Sequence, residues 1–241
     1  MRLAFLTGAG ISAESGIPTF RDALTGLWSR YDASQLATPE AFARDPALCW
    51  GWYRWRAAQV RRAEPNAGHL GIAELARRGH AVRVITQNVD DLHERAGSRD
   101  VIHLHGSLLA SRCLDCGRDA TPDPVLGDLD AIAEGRREAP PSCPACGGPF
   151  RPGVVWFGEA LPEAAWEAAC AAIASSELLV VVGTSGLVQP AASLPRLARE
   201  AGVRVLEINP LHSAVSGDAD ERLRMGAGEG LRALLDRLGR A

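Results

Sequence analysis

The first thirteen residues constrain the fold of this chain more than any other segment. An apolar run from Arg2 to Leu6 enters Thr7-Gly8-Ala9-Gly10, and a helical start follows from Ile11 to Glu14. Gly8-Ala9-Gly10-Ile11-Ser12-Ala13 fits the spacing G-x-G-x-x-G/A. Glycines in such a turn let backbone approach a pyrophosphate closely, and the N–H groups at the start of the next helix receive its charge. The turn carries information only between a strand and a helix, which is its context here. A hydride-transfer enzyme would add an acidic residue at the end of a second strand, about 20 residues on. Asp32 falls at about that distance but in no strand pattern. A nucleotide site is expected, without the dehydrogenase arrangement.

The rest of the chain alternates strand and helix signals. Ala81 to Thr86, Val101 to Leu104, Leu178 to Val182 and Val203 to Ile208 read as strands. Asn66 is a plausible cap for a helix running toward Arg78, with Gly79 as its stop. Trp166, Cys170 and Ile173 mark a helix around Ala164 to Ala174; another follows Pro190, and Leu231, Leu234, Leu235 and Leu238 mark a last one. Residues 31 to 65 read as helical and rich in aromatics. This alternation predicts an α/β fold, a Rossmann-like doubly wound parallel sheet covered on both faces. Its pieces are expected at 1–29, 66–108 and 152–241. A helical insert at 30–65 and a zinc-ribbon insert at 109–151 would form a small lobe.

The second insert is defined by cysteines. Cys113 and Cys116 form one C-x-x-C, and Cys143 and Cys146 form another. In a chain with no secretory signal pattern, two close pairs read as metal before disulfide. Four thiolates suit a closed, structural, tetrahedral zinc. The surrounding stretch is rich in Pro, Gly and Asp and short of apolar runs, so it needs such a staple. A zinc ribbon that binds a partner or nucleic acid is the rival reading. Against nucleic acid, Arg112, Arg118, Arg136 and Arg137 are offset by several acids. Cys49 and Cys170 stand alone in apolar surroundings and read as core residues.

Composition removes other classes. The net charge is −3, so no basic field draws nucleic acid or an anionic membrane. No apolar run approaches the roughly 20 residues of a membrane span. A cytoplasmic monomer is the expectation. All 26 basic residues are Arg, which excludes a P-loop Lys and a Schiff-base Lys.

Four strands end in polar loops: Gln87-Asn88-Val89-Asp90, His105-Gly106, Gly183-Thr184-Ser185 and Asn209-Pro210. The carboxyl ends of parallel strands are where α/β sheets bind ligands, and several such loops imply a shared crevice. Alternation puts His103 and His105 on one strand face. An imidazole at position 105 can serve as a general base near neutral pH. Taken singly, each has a plainer reading, Gln87 to Asp90 as a helix cap and turn and the histidines as structural.

Together these segments resemble the sirtuins, NAD-dependent protein lysine deacylases. The likeness spans nearly the whole chain. It rests on GAGISAESGIPTFR (Gly8 to Arg21), TQNVDDLHERAG (Thr86 to Gly97), HLHGS (His103 to Ser107), both C-x-x-C pairs, PGVVWFGE (Pro152 to Glu159), GTS and INP. It implies that NAD and acyl-lysine meet in a cleft between a Rossmann domain and a small lobe. The acyl oxygen displaces nicotinamide from the ribose, and a ribose hydroxyl then attacks the acyl carbon. The products are free lysine, nicotinamide and O-acyl-ADP-ribose. His105 would be the catalytic histidine, assisted by Asn88, while His103 would serve packing.

By the same resemblance Gly8, Ala9, Gly10, Thr184, Ser185 and Asn209 would hold the adenosine and phosphate side. Gln87, Asn88 and Asp90 would line the ribose and nicotinamide pocket. Ile11, Glu14, Trp28, Val89, Gly183, Pro210, Leu211 and Ala227 complete the expected cofactor contacts. Phe20 and Arg21 would belong to a mobile cofactor loop. Val154, Trp156, Phe157 and Gly158 would pair with the substrate peptide as an added strand. Thr19 stands where many sirtuins carry Asp, and GIPTFR resembles the class III branch. That branch carries a Tyr-x-x-Arg pair, matched by Tyr53 and Arg56, which share a helix face at i and i+3. A phenol and a guanidinium can bind a carboxylate at the far end of an acyl chain. Activity on succinyl- and malonyl-lysine is therefore expected, with some deacetylation. A plain deacetylase, an ADP-ribosyltransferase and a zinc-dependent binding module with a vestigial nucleotide site are the alternatives.

Overall fold

The computed structural model describes residues 1–18, 33–129 and 132–239. In chain order its elements are β1 (Arg2–Thr7), α1 (Ala33–Leu36), α2 (Pro39–Arg44), α3 (Pro46–Arg62), α4 (Ala67–Arg77), β2 (Ala81–Thr86), α5 (Leu92–Arg95), β3 (Ile102–His103), β4 (Gly106–Cys113), β5 (Phe150–Val154), α6 (Glu163–Ala174), β6 (Leu178–Val182), α7 (Leu194–Glu200), β7 (Arg204–Ile208), β8 (Glu221–Leu223) and α8 (Ala227–Leu238). Six strands form one sheet in the order β3-β2-β1-β6-β7-β8, every neighbour parallel. Counted within that sheet alone the order is 3-2-1-4-5-6, the order of dinucleotide-binding sheets, and the chain reverses direction between β1 and β6.

The alternation along β1 explains why its apolar run is continuous. Ala4 and Leu6 pack with Ile173 of α6 and Leu194 and Ala198 of α7. Leu3 and Phe5 pack on the opposite face with Ile72 and Leu75 of α4 and Leu231 and Leu234 of α8. Both faces are covered, so both side-chain sets must be apolar.

A third core lies outside this sheet. Phe42 of α2, Trp50, Trp52 and Tyr53 of α3, Leu108 of β4, Phe150 of β5, and Trp156 pack together with Cys113 and Cys143. β4 and β5 form an antiparallel pair with a register shift between Gly106 and Ser111. This pair was not legible in sequence. Pro152 and Gly153 interrupt β5, and residues of that kind are depleted in strands except at edges and bulges. β8 escaped too, since Glu-Arg-Leu has no apolar alternation. The expected helical start at Ile11 to Glu14 is instead two short 3-10 turns, Ala9–Ile11 and Ala13–Ser15. Tight turns this short carry little macrodipole, so any anion there is met by individual N–H groups.

The switch point depends on close backbone contact. A Cβ on Gly183 would lie 2.5 Å from the Gly10 carbonyl carbon and from the Ile11 nitrogen, and Gly183 has φ +60. Gly183→Ala should therefore cost roughly 2–4 kcal/mol, combining left-handed strain with overpacking. Gly202→Ala, at φ +76 with open space around its Cβ, pays the conformational cost alone, about 1–2 kcal/mol. Urea denaturation of both variants checks this; equal losses would mean that the close contact has no energetic weight.

Candidate active site and metal centre

The glycine turn is held to the end of β6. Gly8 N donates to Val182 O at 3.0 Å and Gly10 N to Gly183 O at 2.8 Å. A Cβ on Gly10 would come within 2.6 Å of Gly183 O, so no other residue fits without displacement. Neighbouring strand ends are tied across the crevice. Gln87 Nε2 donates to Thr184 Oγ1 at 3.0 Å, and Asn209 Nδ2 to Thr184 O at 2.9 Å. Ser185 O accepts from Ala214 N at 3.0 Å. Leu211 is largely exposed beside Pro210. Glu14 caps α8, accepting from Gly228 N at 3.2 Å, next to the buried Ala227. Phe20, Arg21, Trp28 and Thr19 lie outside the described residues.

Beneath the turn lies a buried polar cluster. Ser12 Oγ donates to Asp90 Oδ2 at 2.9 Å and accepts from Asn88 Nδ2 at 3.0 Å. Asp90 Oδ1 accepts from Leu92 N, the first residue of α5, at 3.2 Å. Burial raises the Asp90 carboxyl above its ordinary range, against the hydrogen bonds from Leu92 and Ser12. Val89 lies between these two residues, and its carbonyl accepts from Leu108 N at 2.8 Å. Ser12 was not singled out from sequence. Its partners lie 76 and 78 residues away, and only its place inside the glycine motif could have flagged it.

The pKa values of His103 and His105 are shifted in opposite directions. His105 Nδ1 lies 2.8 Å from Gln87 O. A carbonyl only accepts, so Nδ1 carries the proton and Nε2 keeps its lone pair. Burial holds the His105 pKa below its ordinary value, with the carbonyl contact opposing. His103 Nδ1 meets Asn88 O at 3.2 Å, and its Nε2 meets Glu94 Oε1 at 2.7 Å. Two acceptors call for two ring protons. Burial opposes that charge, but Glu94, the Asn88 carbonyl and Asp90 together raise the His103 pKa. His103 is half-buried and hydrogen-bonded through both ring nitrogens, to Asn88 O and to Glu94.

On α3, Tyr53 is buried and its oxygen accepts from Trp156 Nε1 at 3.0 Å. The phenol therefore keeps its own hydrogen to donate. Burial pushes the Tyr53 pKa up, so it stays neutral. Arg56 is partly exposed, with its guanidinium 5.1 Å from the Trp52 ring centroid. Burial lowers the Arg56 pKa, while Tyr53 and Asp90 act in the other direction. Trp156 packs 5.2 Å from Phe42, centroid to centroid, and under the Arg151 guanidinium at 3.4 Å. After Val154, the amides of Val155, Trp156 and Phe157 donate to His105 O, Glu159 Oε2 and Ala37 O at 2.8, 2.8 and 2.9 Å. Phe157 is exposed, and Gly158 has φ +88 with open space around its Cβ.

The four cysteines meet at one point. Their Sγ atoms lie within 4.8 Å of one another. Cys113 to Cys146 is 3.4 Å and Cys116 to Cys143 is 3.8 Å. A tetrahedral zinc with Zn–S bonds of about 2.3 Å needs sulfurs about 3.8 Å apart. Each pair is followed by a glycine in the left-handed region, Gly117 at φ +71 and Gly147 at φ +79. Each of these glycines closes its turn onto the first cysteine's carbonyl, at 3.1 Å for Cys113 and 2.8 Å for Cys143. The set is positioned to bind a structural zinc, and four protein ligands leave no open position for chemistry.

A model of the Sir2 family matches residues 8–190. A Pseudomonas aeruginosa protein named NAD-dependent protein deacylase 1 is 59% identical over 239 residues, covering 98% of this chain and 94% of that protein. A Mycobacterium tuberculosis NAD-dependent protein deacylase is 51% identical, covering 99% and 98%. A crystal structure described as a Sir2 homologue–NAD complex superposes with a TM-score of 0.87 at 47% identity, covering 99% of this chain and 89% of that one. A structure described as Sir2 bound to acetylated peptide gives a TM-score of 0.83 at 30% identity, covering 99% and 94%. Among the described residues no helix is long and apolar enough to cross a membrane.

Two outcomes are expected. Cys143→Ser should lower bound zinc, measured by atomic absorption, and lower the melting temperature. Cys113 and Cys143 belong to the core that holds Tyr53 and Trp156, so zinc-free protein melting like the wild type would contradict the assignment. The second concerns acid. Burial pushes His69 down to about 4, and burial together with His69 holds His93 well below 6.5. The unfolded chain takes up these protons first. Stability is full above pH 6.5 and falls as pH drops toward 4, by on the order of 3 kcal/mol for His69 alone. Urea titrations at pH 7 and 4.5 should show a steeper loss in the wild type than in His69→Gln; equal slopes would contradict it.

Proposed function

The chain belongs to the Sir2 family, and on that premise we propose that it is an NAD-dependent protein lysine deacylase acting on acylated proteins or peptides. The observation that carries this reading is the placement of His105. A neutral imidazole with an unprotonated Nε2 stands beside strand ends tied to the glycine turn. A group poised to accept a proton near neutral pH is what activating a ribose hydroxyl requires. NAD, as co-substrate, supplies the ribose and the nicotinamide leaving group. Gly8, Ala9, Gly10, Ile11, Gly183, Thr184, Ser185 and Asn209 form the adenosine and phosphate side, with Glu14, Pro210, Leu211 and Ala227 at its margin. Asn88 and Asp90, fixed through Ser12, form the nicotinamide end with Gln87 and Val89. Asn88 is assigned a catalytic part there. Phe20, Arg21 and Trp28 are assigned to the cofactor loop on resemblance alone. A substrate peptide is assigned to lie along Val154 to Gly158 as an added strand. The zinc holds the small lobe together.

The finer proposal concerns the acyl group. Tyr53 and Arg56 offer a phenol hydrogen and a guanidinium from one turn of α3, in a partly desolvated place where a carboxylate is strongly favoured. We assign succinyl- and malonyl-lysine as preferred substrates over acetyl-lysine. A purely amphipathic role for α3 does not account for a buried phenol one turn from a guanidinium held over the Trp52 ring.

Peptides of one sequence carrying acetyl or succinyl groups test both levels. Arg56→Met should lower kcat/KM for succinyl-lysine roughly 10- to 100-fold, the loss of a charged hydrogen bond, and alter acetyl-lysine by only a few-fold. His105→Tyr should lower both by at least about 100-fold while NAD still binds. Preference for acetyl-lysine in the wild type, unchanged by Arg56→Met, would leave a plain deacetylase. ADP-ribose transferred to protein without deacylation would leave a transferase. No nicotinamide release with any acyl peptide would leave a binding module.

A further inference from the structure

One buried histidine has no place in the roles above. His69 is fully buried in the first turn of α4 and reaches the underside of the glycine turn. Its Nδ1 accepts from Asn66 N at 3.3 Å, closing the capping box of α4. That donor is a backbone amide and has no other protonation state. Nδ1 is therefore the acceptor and Nε2 carries the proton. Nε2 points to Ser12 Oγ at 3.4 Å.

Ser12 has one hydrogen and two lone pairs. Asn88 Nδ2 and His69 Nε2 both donate to its oxygen, so its hydrogen goes to Asp90 Oδ2. If His69 were an acceptor at Nε2, the ring and Asp90 would compete for that hydrogen. The cap thus settles the tautomer, the tautomer settles the direction of the Ser12 hydroxyl, and the hydroxyl fixes Asp90 and Asn88. Asn66 works on the same turn from the other side. Its Nδ2 donates to Ile11 O at 2.7 Å and to Ser15 Oγ at 2.9 Å, while its Oδ1 accepts from Gly68 N at 2.8 Å. A Cβ on Gly68 would come within 2.9 Å of the Ala227 side chain and 3.3 Å of the Ile11 side chain, so α4 packs closely against both α8 and the turn. A cap needed only to start a helix would not have to reach three groups of another segment.

We propose that the Asn66–His69 cap of α4 is a positioning device for the nicotinamide end of the NAD site, acting through the Ser12 hydroxyl on Asp90 and Asn88. The proposal rests on the assignment of Asp90 to the nicotinamide pocket. It makes His69 a positioning residue and gives it no contact with substrate.

The test separates the two ends of NAD. Inhibition by free nicotinamide reports the pocket at Asp90, and ADP-ribose affinity by calorimetry reports the rest. In His69→Leu the nicotinamide concentration for half-inhibition should rise roughly fivefold, the factor carried by one neutral hydrogen bond. The Kd for ADP-ribose should stay within twofold. His69→Gln should restore near-native inhibition, since its amide can both accept from Asn66 and donate toward Ser12. Parallel loss of both affinities, or unchanged inhibition in His69→Leu, overturns the proposal. Asp90→Asn separates the two layers. If it also leaves nicotinamide inhibition unchanged, the pocket assignment fails and takes the proposal with it. If it weakens inhibition while His69→Leu does not, the His69 link alone falls. Should His69→Leu not fold, 15N spectra of the wild-type protein decide. A His69 Nε2–H tautomer whose resonance moves when nicotinamide is added over ADP-ribose supports the link; the other tautomer, or an unmoved resonance, overturns it.

Discussion

Everything chemical in this protein depends on the backbone of Gly10 lying directly against Gly183. That contact joins the loop after β1 to the loop after β6 where the sheet order reverses, and only glycine fits at either position. With the two loops fused, the ends of β2 and β7 are tied to the same point through Gln87, Thr184 and Asn209. Parallel pairing in register then places the polar ends of several strands on one edge of the sheet. The crevice is thus a consequence of topology, and side chains only furnish it.

Two histidines two residues apart show how environment assigns chemistry. His105 faces a single carbonyl in a buried place and stays neutral. His103 meets a carbonyl and a carboxylate, and its pKa is raised. Two imidazoles at one strand end are thus shifted in opposite directions. The pair at His69 and His93, with ring centroids 4.9 Å apart, is neutral for a different reason. Burial holds both pKa values down, and at His93 the neighbouring His69 and His103 act in the same direction.

Much of the sheet was legible because buried parallel strands must be apolar on both faces. Leu178 to Val182 could hardly be anything else, and Asn66 announced its helix by its side chain. The paired cysteines were equally direct, since their spacing is a coordination geometry written in sequence. Legibility failed where structure is held from a distance. β8 exists because β7 offers it an edge, and its own three residues give no sign of a strand. β4 and β5 pair across 36 intervening residues, through a proline and a glycine that argue locally against a strand. His103 and His105 could be placed on one face, but their opposite pKa shifts depend on Glu94, on burial and on carbonyls that no periodicity reveals. Ser12 gains its meaning from Asn88, Asp90 and His69, each far away in the chain.

The reaction of NAD with an acylated lysine above these strand ends is read most directly from the product balance of a single incubation with an acyl-lysine peptide and NAD, followed by mass spectrometry. Free peptide, nicotinamide and O-acyl-ADP-ribose should form in equal amounts, with none formed when NAD is omitted. Deacylated peptide appearing without NAD, or without matching nicotinamide, would contradict it.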